Sequence, residues 1–188
     1  MKMEISQIVT HTLVLWLLPL SFVVHDLEEI ITWNGWIQKN HRLLEVIKSK
    51  NGFTRYLISH ISSKGIQMAW AALFELCIIL FFTLWAQVLP TVFYGIQIYT
   101  IILLSMFFHV FSHVGQLILF RKYTPGVVTA VLIVLPNMLY ILNRIIAIYH
   151  FPISTLFFLS VLGILLFLPV VLSAHKVGQW MVAKLSRS

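Results

Sequence analysis

Leu13-Val14-Leu15-Trp16-Leu17-Leu18-Pro19-Leu20-Ser21-Phe22-Val23-Val24 runs directly into His25-Asp26-Leu27-Glu28-Glu29, and this junction decides how the chain is read. The first stretch is apolar enough to enter a bilayer, and the second carries three acids and a histidine within one and a half helical turns. A secretory leader would end at a small-residue cleavage site and would not run into acids. The segment is therefore read as a retained first helix with chemistry at one end.

The rest of the chain supports a membrane reading. Its 188 residues are 60% hydrophobic and only 10% charged, against about 25% charged in a typical soluble domain. Mean hydropathy is +0.93. The length suits one bundle without a soluble domain. The single cysteine, Cys77, excludes an intrachain disulfide and a cysteine-based metal cluster. The net charge of +7 lies mainly in loops and at one terminus, where topology and anionic headgroups account for it better than nucleic acid does.

A span takes about 20 mostly apolar residues, and five segments qualify: about 8–32, 66–88, 92–120, 126–149 and 153–174, the last with room to continue as an amphipathic tail to Lys184. The expected fold is all-α, a polytopic transmembrane helical bundle of five helices forming one domain over 1–188. The connection at 33–65 holds six basic residues and partial amphipathicity, which suggests short helices on the membrane surface. With five spans, that loop, the Arg121-Lys122 turn and the C-terminus share a side carrying eleven of the thirteen Lys and Arg; Lys2 and Arg144 lie on the other. The positive-inside rule then places the protein in the cell inner (cytoplasmic) membrane, N-terminus outside and C-terminus cytoplasmic.

Four of the six acids fall in or beside apolar helix: Asp26, Glu28 and Glu29 in the first segment and Glu75 in the second. The third segment carries His109 and His113, one helical turn apart, with Gln116 on the same stripe. The i, i+3, i+4 relation puts His25, Glu28 and Glu29 in one wedge. At about 1.5 Å per residue, all of these lie roughly 7–16 Å from the helix ends on one side, so three helices place them in a common layer.

Each has a plainer reading. A lone intramembrane histidine more often bonds a neighbouring helix, Glu75 could do the same, and the acids of the first helix could form a solvated helix end. Together they are harder to dismiss, because unpaired charge at this depth is costly and the basic residues lie mostly elsewhere. Protonation or metal would relieve it. His25, Glu28, Glu29, Glu75, His109 and His113 are the expected ligands of a divalent metal, iron or zinc. Six ligands exceed one tetrahedral zinc and fit a dinuclear site. Glu29 and His109 would complete the second metal or serve as the catalytic base. Tyr123, Asn137 and Gln116 are candidate outer hydrogen-bond donors or substrate contacts. His41, His60, His150 and His175 read as ordinary residues of loops and helix ends, and His11 as remote from the layer.

His25-Asp26-Leu27-Glu28-Glu29, then His113, then Tyr123-Thr124-Pro125-Gly126 resemble, in order, the motifs of the HXXEE family of bacterial integral membrane proteins. The resemblance covers roughly residues 20–145. That family has no assigned activity, so the resemblance supports the site residues and names no reaction.

Three functions compete. A membrane metalloenzyme would act on a lipid-like or apolar small molecule through the buried His/Glu site, as an oxidoreductase with iron or a hydrolase with zinc. The histidine clusters of membrane hydroxylases are not matched beyond His109-x-x-x-His113, and the HExxH zinc-protease pattern is absent. The alternative is a proton- or ion-coupled transporter using the buried carboxylates, where a homodimer would supply the helices that a carrier needs. A non-catalytic partner protein would leave the buried polar layer unexplained.

Overall fold

The computed structural model describes residues 5–50, 52–60 and 64–187, and they are helical with short connections. Helix α1 is Ile5–Lys50, α2 Gly52–His60 and α3 Gly65–Val88. A single 3₁₀ turn, Val92–Tyr94, leads into α4, Gly95–Phe120. Helix α5 covers Val127–Tyr149 and α6 Ile153–Leu185. Lys2, which entered the charge argument, lies outside the described residues.

The all-α bundle is as expected, but the span count differs. Four helices among the described residues are long and apolar enough to cross a membrane: α3, α4, α5 and α6. Helix α1 is not among them; its apolar stretch runs into His25-Asp26-Leu27-Glu28-Glu29, after which the helix turns polar. It also does not end near Thr32. It continues for 46 residues to Lys50, about 69 Å, or twice the hydrocarbon thickness. No proline follows Pro19 to stop it, and pairs such as Glu45–Lys48 at 3.5 Å support its polar half. Most of the expected surface loop is therefore helix continuous with α1. The last helix continues past its apolar span to Leu185, as the amphipathic tail allowed.

Helix α1 packs on α3 and α5, α6 packs on α3 and α4, and α4 packs on α5, which closes a ring around the site. Leu15, Leu18, Tyr99, Leu103, Met138 and Ile141 fill the centre. In lipid, helices associate through close packing and hydrogen bonds more than through the hydrophobic effect, and both occur here. Tyr99 Oη donates to the Leu15 carbonyl at 2.8 Å and Trp16 Nε1 to Gln87 Oε1 at 2.9 Å. At Gly178 a Cβ would lie 2.1 Å from the Gln67 carbonyl, so only glycine lets α6 approach α3 this closely. Leu20, Ile31, Phe81, Ile118, Leu132 and Phe157 point outward and are exposed, the pattern of a bundle that presents its apolar side chains to lipid.

Helix α5 begins irregularly. Ala130–Val134 forms a π-helical bulge just before Pro136. Proline cannot donate to the helical ladder and crowds the preceding turn, which a local bulge relieves. The bulge lies next to Thr129, where α5 meets α1.

Candidate metal centre

His25, Glu29, His109 and His113 each offer one ligand atom, and these four atoms lie within 4.8 Å of one another. His25 Nε2 is 2.8 Å from His109 Nε2, and His113 Nε2 is 3.0 Å from the same atom. Glu29 Oε1 is 3.1 Å from His113 Nε2 and 4.0 Å from His25 Nε2. The three rings meet edge to face, with centroids 4.6 to 4.9 Å apart. His25, Glu29 and His113 are 1%, 3% and 3% exposed.

Hydrogen bonding alone does not satisfy this arrangement. A neutral imidazole has one donor and one acceptor nitrogen, and each nitrogen offers a single site in the ring plane. His109 Nε2 faces two other Nε2 atoms and can satisfy only one. The Nδ1 atoms of His109 and His113 are buried without a partner. Three ring nitrogens and a carboxylate oxygen gathered this closely are a donor set that a tetrahedral divalent ion takes. With bonds of about 2.0–2.1 Å its ligand atoms stand about 3.3 Å apart; the separations here run from 2.8 Å to no more than 4.8 Å. The group could hold one metal ion.

Glu28 is not in the group. Its Oε2 accepts from the Thr129 backbone N–H at 2.8 Å and from Thr129 Oγ1 at 2.6 Å, and its Oε1 accepts from Tyr123 Oη at 2.6 Å. Thr129 Oγ1 also lies 3.1 Å from His25 Nδ1. With Nδ1 as donor, a chain runs from His25 through Thr129 to Glu28, which fixes the ring and leaves Nε2 free to bind a metal. Glu28 thus acts on the site through His25. Burial, reinforced by the bond to Glu28, pushes the Tyr123 phenol up, so it stays protonated and donating.

The same turn closes the site from above. Gly126 has φ +80°, and a Cβ there would meet Glu29 Cγ and His25 Cε1, each at 2.7 Å. The Tyr123-Thr124-Pro125-Gly126 turn and the His25–Glu29 stretch are therefore two halves of one contact, a physical reason for the two motifs to occur together.

Glu75 also lies outside the four. It lines a small cavity of about 30 Å³ with Asp26, Glu29, His109 and His175. Glu28 and Glu75, both expected as ligands, are thus not part of the group of four found among the described residues. Asn137 Nδ2 donates to Ser21 Oγ at 2.8 Å, an interhelical bond one turn before His25. Gln116 lies one turn beyond His113, half-buried and not among the four.

His175, expected to be ordinary, is buried at 6% exposure against the small cavity. Asp26, buried at 7% exposure, faces the same cavity. Thr129 carried no sequence signal; its position three residues after the Pro-Gly turn was the available clue.

Comparison with curated proteins and with solved structures gives no match. One family profile matches, described as a protein of unknown function with HXXEE motif, over residues 16–141. That span contains His25, Glu28, Glu29, Glu75, His109, His113, Tyr123, Gly126 and Thr129, and the chain belongs to that family.

Proposed function

We propose that the protein is a membrane metalloenzyme that holds one divalent metal ion between α1 and α4 and acts on a lipid-like or apolar substrate. The observation that carries this is the convergence of three histidine Nε2 atoms and one glutamate oxygen in a buried group that internal hydrogen bonds leave unsatisfied. Imidazole with carboxylate suits zinc, iron or manganese. Such an ion supplies a Lewis acid for polarising a substrate oxygen. His25, His109 and His113 hold the position. Glu29 borders both the ligand group and the small cavity, so it is placed to accept a proton from a molecule bound there.

The apolar exterior supports the substrate class, since molecules dissolved in the bilayer reach a buried site without crossing water. The purified protein in detergent, stripped with chelator, should regain thermal stability on adding zinc or ferrous ion, by about 2.7 kcal/mol at a hundredfold excess over Kd. Replacing His113 with Ala should abolish the gain. An equal gain in that variant would sink the reading and favour a carrier built on the buried carboxylates.

A further inference from the structure

A second cavity, of about 180 Å³, opens between α1 and α3. It is lined by Phe22, Val23, Leu27 and Ile30 of α1, by Ala69, Ala72, Leu73 and Leu76 of α3, and by one polar residue, Asp26. Val23, Leu27 and Leu73 are exposed, so its mouth lies on the apolar outer face of the bundle. Asp26 is 7% exposed, and its carboxylate has no hydrogen-bond or basic partner among the described residues. Asp26 and Ala72 also line the small cavity that contains Glu29 and His109. An apolar cleft, an unpartnered buried carboxylate and the ligand group therefore lie in sequence from the outside inward.

We infer that this cleft seats the substrate: a single hydrocarbon chain whose hydrogen-bond-donating head, an amine or hydroxyl, is received by Asp26. An apolar cavity of about 150 Å³ accepts benzene, so this one takes a segment of a single chain and not a two-chain lipid. The lining selects the head. Asp26, Glu29 and Glu75 surround the inner end, and neither cavity is lined by Lys or Arg. A fatty-acid carboxylate or a phosphate would find no Lys or Arg to pair with beside three acidic side chains, whereas an amine or alcohol donates to the oxygens that Asp26 leaves without a partner. Because lipid tails are as apolar as the cleft, the chain alone gives little selectivity, and the head supplies the rest. The inference rests on the enzyme reading for its use of the word substrate; the binding itself does not require the metal.

The test is photolabelling of the full chain in detergent with two diazirine probes of equal length, an alkyl amine and an alkyl alcohol. Labelling should be saturable, should map to Val23, Leu27 and Leu73, and should be displaced by unlabelled amine or alcohol but not by the fatty acid of that length. Which of the two displaces better identifies the head. Ala69→Phe, which fills the cleft, should lower labelling at least about tenfold, a change of about 1.4 kcal/mol, and leave metal content unchanged. Leu73→Trp at the exposed mouth serves the same purpose if the first variant does not fold. Asp26→Leu should keep labelling of the chain and lose the preference over fatty acid. Equal displacement by the fatty acid, or labelling unaffected by both cleft-filling variants, would overturn the inference. Specific labelling of a protein that binds no metal would remove the enzyme reading and keep the cleft.

Discussion

The Nε2 atoms of His25 and His109 lie 2.8 Å apart across the interface of α1 and α4, between residues 84 positions apart in the chain. Two imidazoles that meet nitrogen to nitrogen share either a proton or a cation. His109 meets a second such nitrogen, from His113, at 3.0 Å, and one proton cannot serve both contacts.

Without metal, His109 is therefore expected to contribute nothing to stability. His109→Leu should match or exceed the chelated wild type by about 1 kcal/mol, because it removes an unpaired buried polar group. With metal present the order should reverse. Chemical denaturation in detergent with and without chelator checks both halves. A large loss in the chelated variant would mean that the histidines hold one another directly.

Gly126→Ala should destabilise the protein by about 1–3 kcal/mol, from strain at positive φ together with displacement of His25 and Glu29. Gly115→Ala is the control, since a Cβ there meets nothing within 4 Å; helix propensity makes it neutral or stabilising by up to about 1 kcal/mol. Thermal midpoints of the two variants, read side by side, test the close packing of the turn on the site.

Thr129→Val should weaken metal binding about 10–100-fold without abolishing it, because it cuts the link from His25 to Glu28 and leaves the four ligands in place. Glu28→Gln should act in the same direction, and the two together should cost less than the sum of each. Isothermal titration with metal decides this. Complete loss of binding in Glu28→Gln would make Glu28 a ligand.

The end of α1 near Lys48 and the C-terminus are expected in the cytoplasm, which requires the helices between them to cross the membrane an even number of times. In a Cys77→Ser background, single cysteines at Ser49 and Ser186 should resist a membrane-impermeant maleimide in intact cells and react after lysis. Reaction of one site and not the other would show that the helices between them cross an odd number of times, contrary to the expected even number.

The helical bundle was legible because apolar runs and their proline and glycine boundaries are local signals, and α3, α4 and α5 begin and end within a few residues of the reading. The end of α1 was not, because a helix that leaves the apolar layer keeps its backbone hydrogen bonds and shows only a change of composition. The pairing of His109 with His113 followed from helical spacing, and the meeting of α1 with α4 from common depth. The assignment of Glu28 and Glu29 did not follow. They sit about 100° apart on one helix, and the rotation of α1 that packing sets turns Glu29 to the histidines and Glu28 to Thr129. Asp26 and His175 were passed over for a related reason: each reaches the small cavity through helix orientation, and His175 lies just past the end of the apolar span expected for α6.

Elemental analysis of the purified wild type, with protein quantified by amino-acid content, tests the central claim most directly. One equivalent of a divalent transition metal is predicted, lost in Glu29→Ala and in His113→Ala and retained in Glu75→Gln and His175→Gln. No metal above background in protein grown with iron, zinc and manganese in turn would contradict the account, and two equivalents, with the second lost in Glu75→Gln, would contradict the single-ion site.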